Sequence, residues 1–199
     1  SASSFWLDVA GAPAAYAPPA PYAYGINVNV GGGSRITNTV TSPFNEGGGL
    51  RRSCVGWAVT NTAGTTIASG SGNQAEFDMT TNLLLTFFWT NVYQFVVTSA
   101  NAGEGSVNSG TVDGWYTNGM TVTNITATPT GGYVFNRWTG TGVPPGQEGD
   151  NPLTVTMTQA RYLTANFALD AGEIRTWTGA GNWIDPARWT PNGIPGPQD

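Results

Sequence analysis

The segment GSRITNTVTSP at 33–43 returns as GMTVTNITATP at 119–129, so that Gly33, Ile36, Asn38 and Pro43 face Gly119, Val122, Asn124 and Pro129 at an offset of 86. Further along, FDMTTNLLLTFFW (77–89) faces VTMTQARYLTANF (155–167), and Met79, Leu85, Thr86 and Trp89 meet Met157, Leu163, Thr164 and Phe167 at an offset of 78. Between these points VGW (55–57) faces NRW (136–138), after an insertion in the first half that carries NEGGG. Self-similarity of this kind means that one folding unit is used twice, and it constrains the architecture more than any single motif. The expected organisation is a first module at 1–91 with an Ala/Pro/Tyr-rich arm, a second at 92–169, and a Trp/Gly/Pro-rich segment at 170–199 read as the start of a further domain. The two modules should join near Thr90 to Tyr93.

The local signals are those of strands. Gly (28) and Pro (13) punctuate the chain, and no long segment keeps an apolar i, i+3, i+4 pattern. YQFVVTS (93–99), MTVTNITAT (120–128), LTVTMT (153–158) and RYLTANFA (161–168) are short, rich in β-branched or aromatic residues, and bounded by turn formers. The fold class is therefore all-β, in two tandem small β-sheet modules with an irregular C-terminal segment. Within it, GYVFNRWTGTG (132–142) sets Tyr133, Phe135 and Trp138 close together, a pattern that suits either a sugar platform or a strand core. Trp138 has a counterpart in Trp57, while Phe135 is matched by the smaller Cys54. A core position must be filled in each copy and can trade volume with its neighbours, so the core reading is preferred.

Composition excludes several chemistries. Charged residues make up 10% of the chain, the net charge is -5, and the cations are all Arg, since there is no Lys. No basic patch is available for a phosphate backbone, so nucleic acid is not an expected partner. The absence of His removes the usual general base and zinc ligand, and the absence of Lys removes Schiff-base chemistry. Cys54 has no partner for an internal disulfide and sits among apolar strand residues, which points to a buried thiol. The longest apolar run, LLLTFFW at 83–89, is far short of a membrane span. The opening SASSFW has neither a charged n-region nor a long apolar stretch, so an exported form would already have lost its leader.

The string GMTVTNITATPTGGYVFNRWTGTG, followed by NPLTVTMTQARYLTANF, resembles the divergent internalin-B-type repeat of bacterial surface proteins. The likeness is close over 93–168 and looser over 5–90, where GGGLRRSCVGW and LLLTFFW depart from the pattern. It implies small β-grasp-like or sandwich-like modules strung along exported, cell-surface or secreted proteins, with no catalytic residues to carry over. The segment RTWTGAGNWIDPARWTPNGIPGPQD (175–199) resembles the opening of autotransporter-like β-solenoid passenger regions. On that reading the 199 residues are one piece of a longer polypeptide.

Two carboxylate pairs are the candidates for catalysis. Glu76 and Asp78 lie on one strand face, and Glu148 and Asp150 lie in the turn GQEGD. The second module has Thr154 and Thr156 where the first has Glu76 and Asp78, so those acids read as a solvated face. No enzyme activity, cofactor or metal site is expected. The sequon Asn124-Ile-Thr lies within an expected strand and reads as chance.

Strand alternation sets Leu83, Leu85, Phe87 and Trp89 on one face and Leu84, Thr86 and Phe88 on the other. The matching second face in the second module is Tyr162, Thr164 and Asn166, which suits water. An apolar second face needs a cover, so Phe5, Trp6, Leu84 and Phe88 are the candidate assembly residues, with SFWLDV (4–9) expected to add to a neighbouring sheet. The partner classes are thus further copies of the chain in a filament or neighbouring domains of a longer chain. The alternative is a carbohydrate-binding or adhesin module that stacks glycans on Trp183 and Trp189, with Tyr16, Tyr22, Tyr24 and Trp115 as further loop aromatics.

Overall fold

The computed structural model describes residues 4–10 and 27–171, together with the backbone of short strands at 176–177 and 189–190. The chain forms two compact units, Ser1–Tyr93 with Trp115–Asn118, and Gln94–Gly114 with Gly119–Asp199. Both are all-β apart from one helical turn, as the expected strands required.

The first unit is built from β1 (Ser4–Ala10), β2 (Asn27–Gly31), β3 (Arg35–Thr39), β4 (Phe44–Gly47), β5 (Leu50–Asn61), β6 (Thr66–Ser71), β7 (Gln74–Asp78) and the first part of β8 (Leu83–Ser99). Strand β8 is its spine. Antiparallel β5 follows it from Leu50↔Tyr93 to Asn61↔Leu83, and parallel β1 takes the opposite edge with Leu7↔Leu83 and Val9↔Leu85. Strand β2 continues the sheet beyond β1, and β4 and β6 fold back on β5. A separate ladder pairs β3 with β7 through Ile36↔Phe77. Alternation along each strand sends Leu7, Val9, Ile36, Trp57, Val59, Phe77, Leu83, Leu85 and Phe87 into one core. Each large side chain buried in this way contributes roughly 1.5–3 kcal/mol. The NEGGG insertion forms the end of β4 and the turn into β5, where Gly47, Gly48 and Gly49 hold φ of 83°, 58° and 76°, backbone that a Cβ disfavours.

The second unit begins in the Gln94–Ser99 end of β8 and continues with β9 (Gly105–Val107) and the single-turn α1 (Ser109–Val112). Then β10 (Gly114–Thr117) pairs with β8 and, from Trp115 on, belongs to the first unit. Next come β11 (Thr121–Ile125), β12 (Ala127–Pro129), β13 (Tyr133–Thr141), β14 (Leu153–Thr156) and β15 (Arg161–Leu169). Strand β15 runs parallel to β8 through Leu163↔Val97 and antiparallel to β13 through Trp138↔Ala165. Separate ladders join β11 to β14 and β9 to β12. Beyond them β16 (Thr176–Trp177) pairs with β17 (Trp189–Thr190). The rest of 172–199, the whole arm at 11–25, and the side chain of Trp177 lie outside the described residues.

Matching positions carry matching hydrogen bonds within each unit. Gly33 N donates to Met79 O and Met79 N to Ser34 O, as Gly119 N donates to Met157 O and Met157 N to Met120 O. Trp57 pairs with Phe87 and Val59 with Leu85; Trp138 pairs with Ala165 and Gly140 with Leu163. The long strand of each unit slips its register once, between Cys54 and Gly56 in β5 and between Phe135 and Arg137 in β13. A slip of one residue turns every later side chain to the other face, so the bulge decides which side of the sheet each tryptophan enters.

Trp138 is 1% exposed, and its indole N–H donates to the Asp150 carbonyl at 2.7 Å. Phe135 packs beside it with ring centroids 5.3 Å apart, which makes the aromatic cluster a core element. Trp57 is also buried, but its Nε1 has no acceptor; Gly70 of β6 lies so close to that indole that a Cβ there would stand 2.8 Å from it. Arg161, buried at 8% exposure, was not singled out from sequence. Its guanidinium donates to the carbonyls of Gly142 and Thr156, which ties the segment after β13 to the turn after β14.

One expectation is corrected by the sheet itself. The SFWLDV strand pairs within its own chain, with β2 over Ser4–Asp8 and with β8 from Leu7 on, so it is a strand of its own sheet and not one added to a neighbouring sheet.

Replacing Trp138 by Ala should cost about 3–5 kcal/mol, as large core truncations do. Replacing it by Phe should cost about 1–3 kcal/mol by leaving the Asp150 carbonyl unpaired, whereas Trp57→Phe removes no hydrogen bond and should cost less. Urea unfolding of the three variants checks this ordering, and a Trp57→Phe variant less stable than Trp138→Phe would contradict it.

Candidate functional site

On β1, Leu7 and Val9 enter the core, so Trp6 and Asp8 must face outward; on β8, Leu84 and Phe88 do the same. Trp6 is 47%, Leu84 38% and Phe88 48% exposed. Trp6, Leu84 and Phe88, three of the four candidate assembly residues, are thus exposed on the outer side of the sheet. Phe5 does not share it, because it packs against the core on the opposite side of β1.

The second unit treats the same strand face differently. Tyr162 donates its hydroxyl to Gln94 Oε1 at 3.0 Å, the Thr164 and Thr98 hydroxyls lie 3.3 Å apart, and the Asn166 amide donates to Thr139 Oγ1 at 2.9 Å. Cross-strand hydrogen bonds thus tie Tyr162, Thr164 and Asn166 across the second unit's face, where Tyr162 and Val134 are exposed, while the first unit exposes Leu84 and Phe88 at the matching strand positions.

At one end of the first unit's outer face lies a groove of about 650 Å³, lined by residues that include Trp6, Asp8, Asn27, Asn61, Asn82 and Leu84. The ladders place its floor in a row across four strands. Asn27 of β2 pairs with Asp8 of β1, Asp8 with Leu84 of β8, and Leu84 with Thr60 of β5. The Asn27 amide donates to Asp8 Oδ1, and the Trp6 backbone N–H donates to Asn82 Oδ1 at 2.9 Å. Asn61 Oδ1 accepts from Ala63 N and Thr65 N, which fixes the turn at the rim. Single-sequence reasoning found Trp6 and Leu84 but missed the amides around them, because strand order brings together residues far apart in the chain.

The other candidates resolve into structural roles. Glu76 and Asp78 share Arg35, each at 3.3 Å, on an exposed strand face, and these contacts raise the Arg35 pKa. Glu148 and Asp150 act through their backbone carbonyls, which accept from Trp138 N and Nε1 at 2.7 Å each. No group of three His, Cys, Asp or Glu that could hold a metal ion occurs among the described residues. No described helix is long and apolar enough to cross a membrane. Trp115 lies in β10 with the Arg51 guanidinium 3.7 Å from its ring centre, so a cation already covers that face. Asn124, of the sequon, is exposed at φ 57° where β11 slips against β14. Tyr16, Tyr22, Tyr24, Trp183 and the side chain of Trp189 lie outside the described residues, as does the strand face any of them would present.

Residues 95–171 match the family model of the divergent InlB B-repeat domain, a bacterial repeat of the cell-surface type. The match extends neither to the first unit nor to the segment from 175. No curated protein and no solved structure matches the chain.

Cys54 donates its thiol to the carbonyls of Gly72 at 3.3 Å and Gly56 at 3.5 Å, and burial pushes its pKa up. At pH 8 the folded protein should react with a thiol reagent about tenfold or more slowly than the chain in guanidinium. Because the folded state holds this proton longer, the thiol's contribution to stability is full below the unfolded pKa of about 8.5 and declines as pH rises through it. Thiol labelling against denaturant checks the first statement, and fast labelling of the native state would contradict it.

Proposed function

We propose that the chain is a non-catalytic extracellular module made of two copies of one β unit, and that it serves at a bacterial cell surface as a spacer able to assemble with further copies of itself. The observation that carries the two-copy reading is the recurrence of the register slip, at Cys54/Gly56 and again at Phe135/Arg137, with a buried tryptophan placed just beyond it each time. An internal ladder of this detail does not arise from composition alone. The family match at 95–171 supports the surface setting for the second copy, and the first inherits it by likeness. The non-catalytic reading rests on the absence of His and Lys from the sequence and on the structural engagement of both carboxylate pairs.

Assembly is supported by the difference between the copies. A spacer needs only watertight modules, and the second unit's face, tied by Tyr162, Thr164 and Asn166, meets that need. The first unit instead leaves Leu84 and Phe88 exposed, in the manner of surfaces that meet a partner. Since Leu84 and Phe88 belong to the first copy, contact of this face with a different surface of the next chain gives a head-to-tail arrangement that propagates unless it closes.

Light scattering over a concentration series, with electron microscopy of the same samples, tests assembly. The expected result is a wild-type mass that grows with concentration and a Leu84→Asp/Phe88→Asp variant that stays monomeric. A wild type that remains monomeric throughout would remove assembly and leave the spacer; a mass that stops at the dimer would replace head-to-tail contact with a symmetric one.

A further inference from the structure

We propose that the groove at Trp6 and Asp8 is a binding site for a neutral oligosaccharide. The groove shares Leu84 with the proposed assembly face, but the proposal does not rest on assembly: it turns on Trp6 and Asp8, on which assembly as proposed above does not depend, and Phe88 does not line the groove.

A sugar ring presents two kinds of surface, an apolar face of C–H groups and a rim of hydroxyls that each donate and accept. A site for it therefore needs an exposed aromatic face beside planar polar groups, and a pocket in the range of roughly 300–1,000 Å³. The groove offers Trp6 with Leu84 as the apolar part and Asp8, Asn27, Asn61 and Asn82 as the polar part, in about 650 Å³. The polar groups are held in place before any ligand arrives. Asp8 is oriented by Asn27, and the Asn61 and Asn82 side chains are fixed through their oxygens, so the amide nitrogens are the donors these two can offer. A preorganised rim loses little rotamer freedom on binding.

The charge pattern narrows the ligand class. Among the described residues no Arg lines the groove and Asp8 is its one ionisable group, and the chain carries a net charge of -5, so phosphate, sulfate and uronate groups are disfavoured. A peptide adding to the sheet would need a free strand edge, but the groove opens on the sheet's face, across strands already paired on both sides at Asp8 and Leu84. What remains is a neutral ligand rich in hydroxyls with one apolar side.

The test uses the full chain and named probes: maltotriose, chitotriose and xylotriose as neutral ligands, with a polygalacturonate fragment as the anionic one. Calorimetry gives affinities, and amide chemical-shift mapping locates the site. The expected result is binding of at least one neutral probe with shifts at Asp8, Asn27 and Asn82, a loss of about tenfold or more in affinity for Trp6→Ala, and a smaller loss for Asp8→Asn or Trp6→Phe. Circular dichroism of Trp6→Ala checks its fold; if that variant is unfolded, the wild-type shift map and Asp8→Asn decide. Binding of no neutral probe, affinity unchanged in a folded Trp6→Ala, shifts that map elsewhere, or preference for the anionic probe would each overturn the proposal.

Discussion

The first unit depends on a single strand that is hydrogen-bonded on both edges. At Leu83 to Thr86, β8 receives β5 on one side and β1 on the other, so its backbone is satisfied there and its side chains have only two places to go. Leu83, Leu85 and Phe87 take the core. Leu84 and Phe88 are thereby forced outward, and no rotamer change can bring them in. The exposed apolar face is a geometric consequence of a fully used strand, and β1, held in parallel register beside it, delivers Trp6 and Asp8 to the same side.

The second unit solves the same geometry with different residues. Arg161 stands at the start of β15, paired with Phe95, and its buried guanidinium is met by carbonyls and not by a carboxylate. Burial lowers its pKa, yet an arginine stays charged under all ordinary conditions, so those carbonyls offset the desolvation cost at Nη1 and Nη2 while the buried Nε is left without a partner. Trp138 is likewise anchored by a carbonyl, that of Asp150. The Gly-rich stretch 142–150 thus acts as a set of acceptors for two side chains, a role its acidic residues had obscured. In the first unit the β6 strand occupies the flank of Trp57, and the indole N–H is left without a partner.

Much of this was legible in the sequence, for identifiable reasons. Strand class, the alternation along 83–89, and the burial of both Trp57 and Trp138 follow from local pattern and internal comparison, both of which a single chain contains. The contrast between Leu84/Phe88 and Tyr162/Asn166 was legible for the same reason. What stayed hidden depends on pairing between distant segments. Parallel contact of β1 with β8 has no short-range signal, so SFWLDV looked like a free strand. The groove was hidden likewise, because Asn27, Asp8, Leu84 and Thr60 become neighbours only once strand order is known. The β6 hairpin was overlooked because TIASGS, short and small in its side chains, carries little strand propensity.

The central claim is that one ladder, bulge included, is used in both units. Solution NMR of the full chain measures it most directly, through cross-strand contacts on either side of each register slip. The account predicts contacts between Trp57 and Phe87 and between Trp138 and Ala165, with Cys54 opposite Trp89 and Phe135 opposite Phe167 beyond the slip. A continuous register through β5 or through β13, with no slip in one of the two units, would contradict it.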